Sequence, residues 1–161
     1  MQATAVKAVI AHTNPQCHAN TCSDSGCALS LSGVPTPNVL ISMEHPASPV
    51  PTGQSHCDYL FVGGDDDVDG GPWVVPIELT TGKKRASELL AQIRSVTRIA
   101  DDLLPQKIVC RFDPVAAHRR GLHREDMADL RKPANRISFR GQRRNVRLAN
   151  CGDQLVGALT D

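Results

Sequence analysis

Aromatic side chains are almost absent from this chain: one Trp, one Tyr and three Phe among 161 residues. A core must therefore be assembled mainly from Val, Leu, Ile and Ala. At 40% apolar residues the composition suffices for one folded domain. Long apolar runs are missing as well. None approaches the roughly 18 residues of a membrane-spanning helix, so no membrane partner is expected. The N-terminus lacks the basic-then-apolar pattern of a secretory leader, and the expected compartment is the cytoplasm. The phosphate-cradling Gly-x-x-x-x-Gly-Lys-Ser/Thr loop does not occur, and neither does Gly-x-Gly-x-x-Gly, which argues against nucleotide hydrolysis and dinucleotide chemistry. The acidic run of Asp65, Asp66, Asp67 and Asp69 does not have the spacing of an EF-hand loop. His56 and Cys57 are sequence neighbours, which in a strand point to opposite faces, so they make a poor nucleophile–base pair.

Cations are scarce in the first half. Up to Gly82 the only basic residue is Lys7, against eight acidic ones; from Lys83 onward 17 Lys and Arg stand against nine acids. The formal net charge of +1 conceals this polarity. A basic half fits an anionic partner such as nucleic acid, and equally a fold in which the two halves neutralise each other.

One domain spans 1–161, without internal repeats or a separating linker. Residues 1–26 read as a Cys-rich N-terminal loop, 27–118 as an α/β core and 119–161 as a basic helix and hairpin. Residues 27–32 alternate at period two, and 39–44 read as the returning strand of a hairpin. Residues 58–62 and 73–80 are short apolar strands. Pro76 removes a ladder donor, which predicts an edge or a bulge for the second. Leu89, Leu90, Ile93, Val96, Ala100, Leu103 and Leu104 recur at helical steps, so 86–104 is expected to be an amphipathic helix stopped by Pro105. A strand at 108–112, running on towards 117, completes a βαβ unit and implies parallel pairing with 73–80. A short helix over 123–131 and a terminal hairpin of 137–141 with 145–149 follow.

The chemistry centres on two carboxylates at strand ends. Asp58 opens one apolar strand and Glu78 closes the next, where a buried charge needs a partner or a metal. Paired carboxylates with the Leu79 carbonyl offer hard oxygen ligands for Mg²⁺ or Mn²⁺. Such an ion can polarise a phosphate and acidify a water, and a nearby lysine can offset developing charge. The plainer alternatives are a loop cap for Asp58 and a solvated ion pair between Glu78 and Lys83, Lys84 or Arg85.

Element order and these residues resemble the PD-(D/E)xK superfamily, which includes restriction endonucleases and RecB-like nucleases. The likeness covers roughly residues 39–117. It implies a restriction-endonuclease-like mixed sheet with a flanking helix, to which a C-terminal β-hairpin is added. It also implies metal-dependent cleavage of DNA, or less readily RNA. Asp58 and Glu78 match the metal-binding acids, Glu44 the upstream accessory acid and Gln92 the helix glutamine of RecB-like members. The family lysine would stand at residue 80, which is Thr80 here. Either Lys83 or Lys84 supplies the missing charge, or the site is inactive and the fold serves as a subunit that binds nucleic acid or protein. The resemblance further implies a homo-oligomer or a subunit of a larger bacterial defence or repair complex.

Two further groups complete the expectations. Cys17, Cys22 and Cys27 are spaced C-x4-C-x4-C beside His12 and His18, and Cys57 directly precedes Asp58. These four thiols are candidate ligands for a structural Zn²⁺ or an iron–sulfur cluster, or else unrelated free thiols. Stable disulfides are not expected in the cytoplasm, and Cys110 and Cys151 read as small buried hydrophobes. Arg136, Arg140, Arg143 and Arg144 on the terminal hairpin are the candidate nucleic-acid contacts, and a surface of solvated ion pairs is the alternative.

Overall fold

The computed structural model describes residues 4–120 and 122–159. Among these residues, four α-helices, α1 (Thr4–Ala11), α2 (Ala86–Leu103), α3 (Arg124–Leu130) and α4 (Leu155–Ala158), accompany eleven strands. In the first half the strands are β1 (His18–Ala19), β2 (Cys22–Asp24), β3 (Cys27–Leu29), β4 (Asn38–Ser42), β5 (Tyr59–Gly63) and β6 (Trp73–Thr80). The second half adds β7 (Arg111–Phe112), β8 (Val115–His118), β9 (Ile137–Phe139), β10 (Gln142–Arg144) and β11 (Arg147–Asn150). The fold is mixed α/β. A seven-stranded sheet runs β1-β4-β5-β6-β8-β11, with β7 also against β6, and two small sheets, β2-β3 and β9-β10, stand apart. β4, β5 and β6 are antiparallel neighbours, whereas β6, β8 and β11 are parallel. No helix of the described residues is long and apolar enough to cross a membrane.

The expected helix forms almost to the residue. α2 buries Leu89, Leu90, Ile93, Val96, Ala100 and Leu103 on one stripe. That stripe lies on the sheet face carrying Leu60, Val62, Val74 and Ala116, which α1 also covers. The opposite face, with Phe61, Val75, Ile77, Leu79 and Val115, packs against Cys22, Cys27, Leu29 and Leu155. The sheet is thus covered on both sides, and all eight residues of β6 are buried.

Four sequence expectations change. β6 is central rather than an edge. Its register with β7 ends at Val74 and resumes with β8 at Ile77, so Pro76 falls where the neighbour is interrupted at Asp113–Pro114. A central strand tolerates a proline at such a gap in its ladder. Next, β3 pairs with β2 and not with β4. A disulfide, Cys27–Cys151, fastens this small hairpin to the chain just after β11, so Cys151 is not a free thiol. The terminal hairpin joins β9 to β10, closed by Arg140 and Gly141 at φ +48° and +82°. Two consecutive residues with positive φ are the signature of a tight type I′ hairpin turn, which starts the return strand at Gln142. β11 leaves the hairpin and becomes an outer parallel strand of the main sheet.

Arg140 is the fourth change. Its guanidinium does not face solvent with the other arginines. Nε pairs with Asp101 Oδ1 at 2.7 Å, Nη1 donates to the Pro105 carbonyl at 2.6 Å, and Nη2 donates to the carbonyls of Asp101 and Leu104 at 3.1 and 3.2 Å. The side chain is 14% exposed. It satisfies carbonyls left open at the end of α2 and brings a cation to the negative end of that helix. Arg140 is therefore a structural clamp and not a nucleic-acid contact. Arg140→Ala is expected to lower the unfolding free energy by about 2–3 kcal/mol in urea denaturation, with Arg140→Lys recovering less than half, because an ammonium cannot reproduce the fork.

Candidate metal and phosphate site

The β5–β6 register places Tyr59 opposite Ile77, so the preceding residue, Asp58, comes level with Glu78. Side chains alternate across a strand, so Glu78 shares the α2 face with Val74 and Thr80. Both acids are buried, Asp58 at 5% and Glu78 at 3% exposure. They line a cavity of about 330 Å³ together with Asp24, Glu44, Lys84 and Gln92. Asp58 Oδ2 accepts the Leu79 N–H at 2.7 Å, which fixes its carboxyl across the strand pair.

Lys84 reaches back over the turn after β6. Its Nζ lies 2.5 Å from Glu78 Oε2 and 2.9 Å from Gln92 Oε1 on α2. Of the two candidate lysines the geometry selects Lys84. Lys83 lines the same cavity but makes no ion pair among the described residues. Thr80 does lie on the Glu78 face, yet its hydroxyl is used within the turn, on the Gly82 carbonyl at 3.0 Å. Glu44 sits at the rim, its side chain 61% exposed and 3.3 Å from His56 Nε2.

The electrostatics of the acid pair are unfavourable as they stand. Burial raises the Asp58 pKa from 3.8 to about 8, the Glu78 charge adds to the rise, and the Leu79 N–H opposes it. The other Glu78 oxygen, Oε1, is buried and has no hydrogen-bond partner. A buried carboxylate oxygen in that position calls for positive charge, either a proton shared with Asp58 or a cation. Two hard carboxylate oxygens with one left open fit Mg²⁺ or Mn²⁺, which retain waters in the remaining positions.

The cysteine expectation is corrected. Cys27 is consumed by its bond to Cys151. Among the described residues no three His, Cys, Asp or Glu side chains come together as a metal group, so Cys17, Cys22 and Cys57 do not gather with His12 and His18. Their thiols are buried. Cys17 donates to the Asn14 carbonyl at 3.0 Å, and His18 Nε2 lies 2.7 Å from Thr13 Oγ1. Burial, then the Asp58 charge, pushes Cys22 up to about 12; burial, then Glu78 and Asp58, pushes Cys57 well above the ordinary thiol range. Thiols so held do not readily become the thiolates that zinc or iron requires.

Three of the four hairpin arginines remain available. Arg136, Arg143 and Arg144 join Arg131 and Arg147 in a groove of about 660 Å³ that includes no acidic side chain. Sequence reasoning missed Asp126, which lies buried on α3. Its Oδ1 accepts the Ala86 N–H at 3.0 Å at the start of α2, where Arg85 offers no side-chain cap. Asp24 on the cavity wall was equally hidden, because the β2–β3 hairpin is too short to announce itself. The chain matches no family model, no curated protein and no solved structure.

A pH dependence follows from Asp58. Its folded pKa is raised, so the stabilisation from holding that proton is complete below about pH 4 and is lost as pH rises through about 8. In thermal melts with EDTA, the wild type is expected to lose Tm across this window relative to Asp58→Asn, whose Tm should be about 4 °C or more higher at pH 8. Excess Mg²⁺ should reverse the wild-type loss at pH 8 and leave Asp58→Asn nearly unchanged.

Proposed function

We propose that this chain is a metal-dependent nuclease of the PD-(D/E)xK type, cleaving phosphodiester bonds in DNA and less readily in RNA. The observation that carries the reading is the buried Asp58–Glu78 pair, with Glu78 Oε1 unpartnered and Lys84 against Oε2. The strand order and the helix behind Glu78 agree with the architecture expected of that superfamily. When bound, Mg²⁺ or Mn²⁺ would supply the charge that polarises the scissile phosphate and acidifies a water.

The protein's own groups do the rest. Asp58 and Glu78 would hold the ion, and the Leu79 N–H keeps Asp58 from rotating away. Gln92 steadies Lys84, whose ammonium lies beside Glu78, where negative charge grows as the phosphate is attacked. A fixed cation costs little reorganisation at that moment. The arginine groove offers bidentate partners for phosphates further along the substrate.

A second reading has an observation of its own. Lys84 already neutralises Glu78, and Thr80 occupies the position of the family lysine, as in a fold retained for binding alone. Cleavage of plasmid, linear duplex and single-stranded substrates separates the two. The nuclease reading expects Mg²⁺- or Mn²⁺-dependent cleavage, abolished by EDTA and by Glu78→Ala, and lowered about 10²–10³-fold by Lys84→Met. In that case Thr80→Lys changes little, because Lys84 already supplies the charge. No cleavage by wild type, with activity appearing in Thr80→Lys, would establish the inactive subunit instead.

A further inference from the structure

The carboxylate cavity does not end at Lys84. Lys83 and Lys84 also form one wall of a second groove, about 650 Å³, that continues along Arg85 to His123 and Arg124 at the start of α3. We propose that this groove is a backbone track, which grips the phosphates next to the cleaved bond through Lys83, Arg85, His123 and Arg124. The inference rests on the nuclease reading for what lies at its inner end, and on the groove's own chemistry for what fills it.

Its charge is largely unspent. Lys83 and Arg124 make no ion pair among the described residues. The Arg85 side chain is 75% exposed, and its ion pair among the described residues is with Asp126, 3.5 Å from Nε. Asp126 is itself buried, and its Oδ1 is shared between the Ala86 N–H at 3.0 Å and Arg85. Glu125 is the one exposed acid on the groove wall. The walls are also fixed relative to each other. The Asp126–Ala86 bond ties α3 to the start of α2, and the Met127 N–H closes the first turn of α3 on the His123 carbonyl at 3.0 Å.

What the groove lacks defines its ligand. Among the described residues no Phe, Tyr or Trp lines it, so bases find no large aromatic platform to stack on. Contacts of Lys, Arg and His with a phosphodiester chain carry position but not sequence. The track should therefore hold a polynucleotide backbone without regard to its bases. The arginine groove near β10 shares no residue with the carboxylate cavity, whereas this one shares two.

The test is binding of fluorescein-labelled oligonucleotides of two unrelated sequences, followed by anisotropy in EDTA so that cleavage plays no part. Lys83→Glu/Arg124→Glu is compared with Arg98→Glu/Lys107→Glu, an equal charge change at exposed positions around a different cavity. Thermal melts verify that both variants are folded. The groove pair is expected to lose about tenfold or more in affinity for both sequences and to reduce the salt slope by about 1.5, while the control pair stays close to wild type. Equal losses in the two pairs, no loss in the groove pair, a strong preference between the two sequences, or a wild type that binds neither oligonucleotide would each overturn the track. Cleavage by wild type in Mg²⁺ is scored separately. Cleavage without groove-dependent binding removes the track and leaves the nuclease; groove-dependent binding without cleavage in either metal leaves the track and removes the nuclease.

Discussion

Burying two like charges side by side is the constraint on which this structure turns. Asp58 and Glu78 are carried into contact by the pairing of β5 with β6, and neither strand can slip to relieve them. A one-residue slip would turn Phe61, Val75 and Ile77 from one core face to the other, and both faces of this sheet are covered. The hydrophobic pattern therefore holds the acids in place against their own repulsion. The raised Asp58 pKa and the open Glu78 oxygen are the consequence. Two buried acids that repel each other are well suited to take up a proton or a cation, because binding relieves a cost already present in the fold.

The lysine follows from the same geometry. A residue two places after Glu78 points the same way, and that direct position is occupied by Thr80. A lysine beyond the turn can reach the same oxygen only if the turn brings it back and something holds its long, flexible chain. The Thr80 hydroxyl braces the turn by donating to the Gly82 carbonyl, and Gln92 on α2 receives the ammonium. This links the site to the helix stripe: Gln92 stands where it does because Leu89, Ile93 and Val96 seat α2 on the sheet. A weakened α2 core would loosen Lys84 without touching the carboxylates.

Legibility in the sequence tracked how local each determinant was. α2 was readable because one turn of helix repeats the same demand many times. β5 and β6, and Asp58 and Glu78 at their ends, were readable because short apolar runs bounded by turns leave few alternatives. The pairing of β3 was not, since a three-residue strand fits either neighbour by pattern alone, and the bond that settles its position joins residues 124 apart. Pro76 misled because the rule about prolines in central strands concerns the neighbouring strand, and the interruption at Asp113–Pro114 lies 37 residues further on. Arg140 looked like its neighbours in composition. It differs only because the tight turn at Gly141 points it at the end of α2 instead of at water.

The charge division between the halves of the chain acquires a meaning in three dimensions. Asp24, Glu44, Asp58 and Glu78 on the cavity all come from the acidic half, whereas Lys83 and Lys84 open the basic half. Mutual neutralisation of the halves would require many ion pairs between them. The Lys84–Glu78 pair does join them, but Arg140–Asp101, Arg147–Asp113, Arg85–Asp126 and Lys132–Asp129 each stay within the basic half. Lys83 and Arg124 on one groove and Arg136, Arg143 and Arg144 on the other keep basic charge at the surface. Asp24, Glu44, Asp58 and Glu78 bring negative charge to one small pocket, and basic side chains predominate on two broader grooves. Such a separation of signs by shape would suit the proposed metal-assisted attack on a nucleic-acid backbone, in which ion and substrate are attracted to adjoining places without competing for the same one.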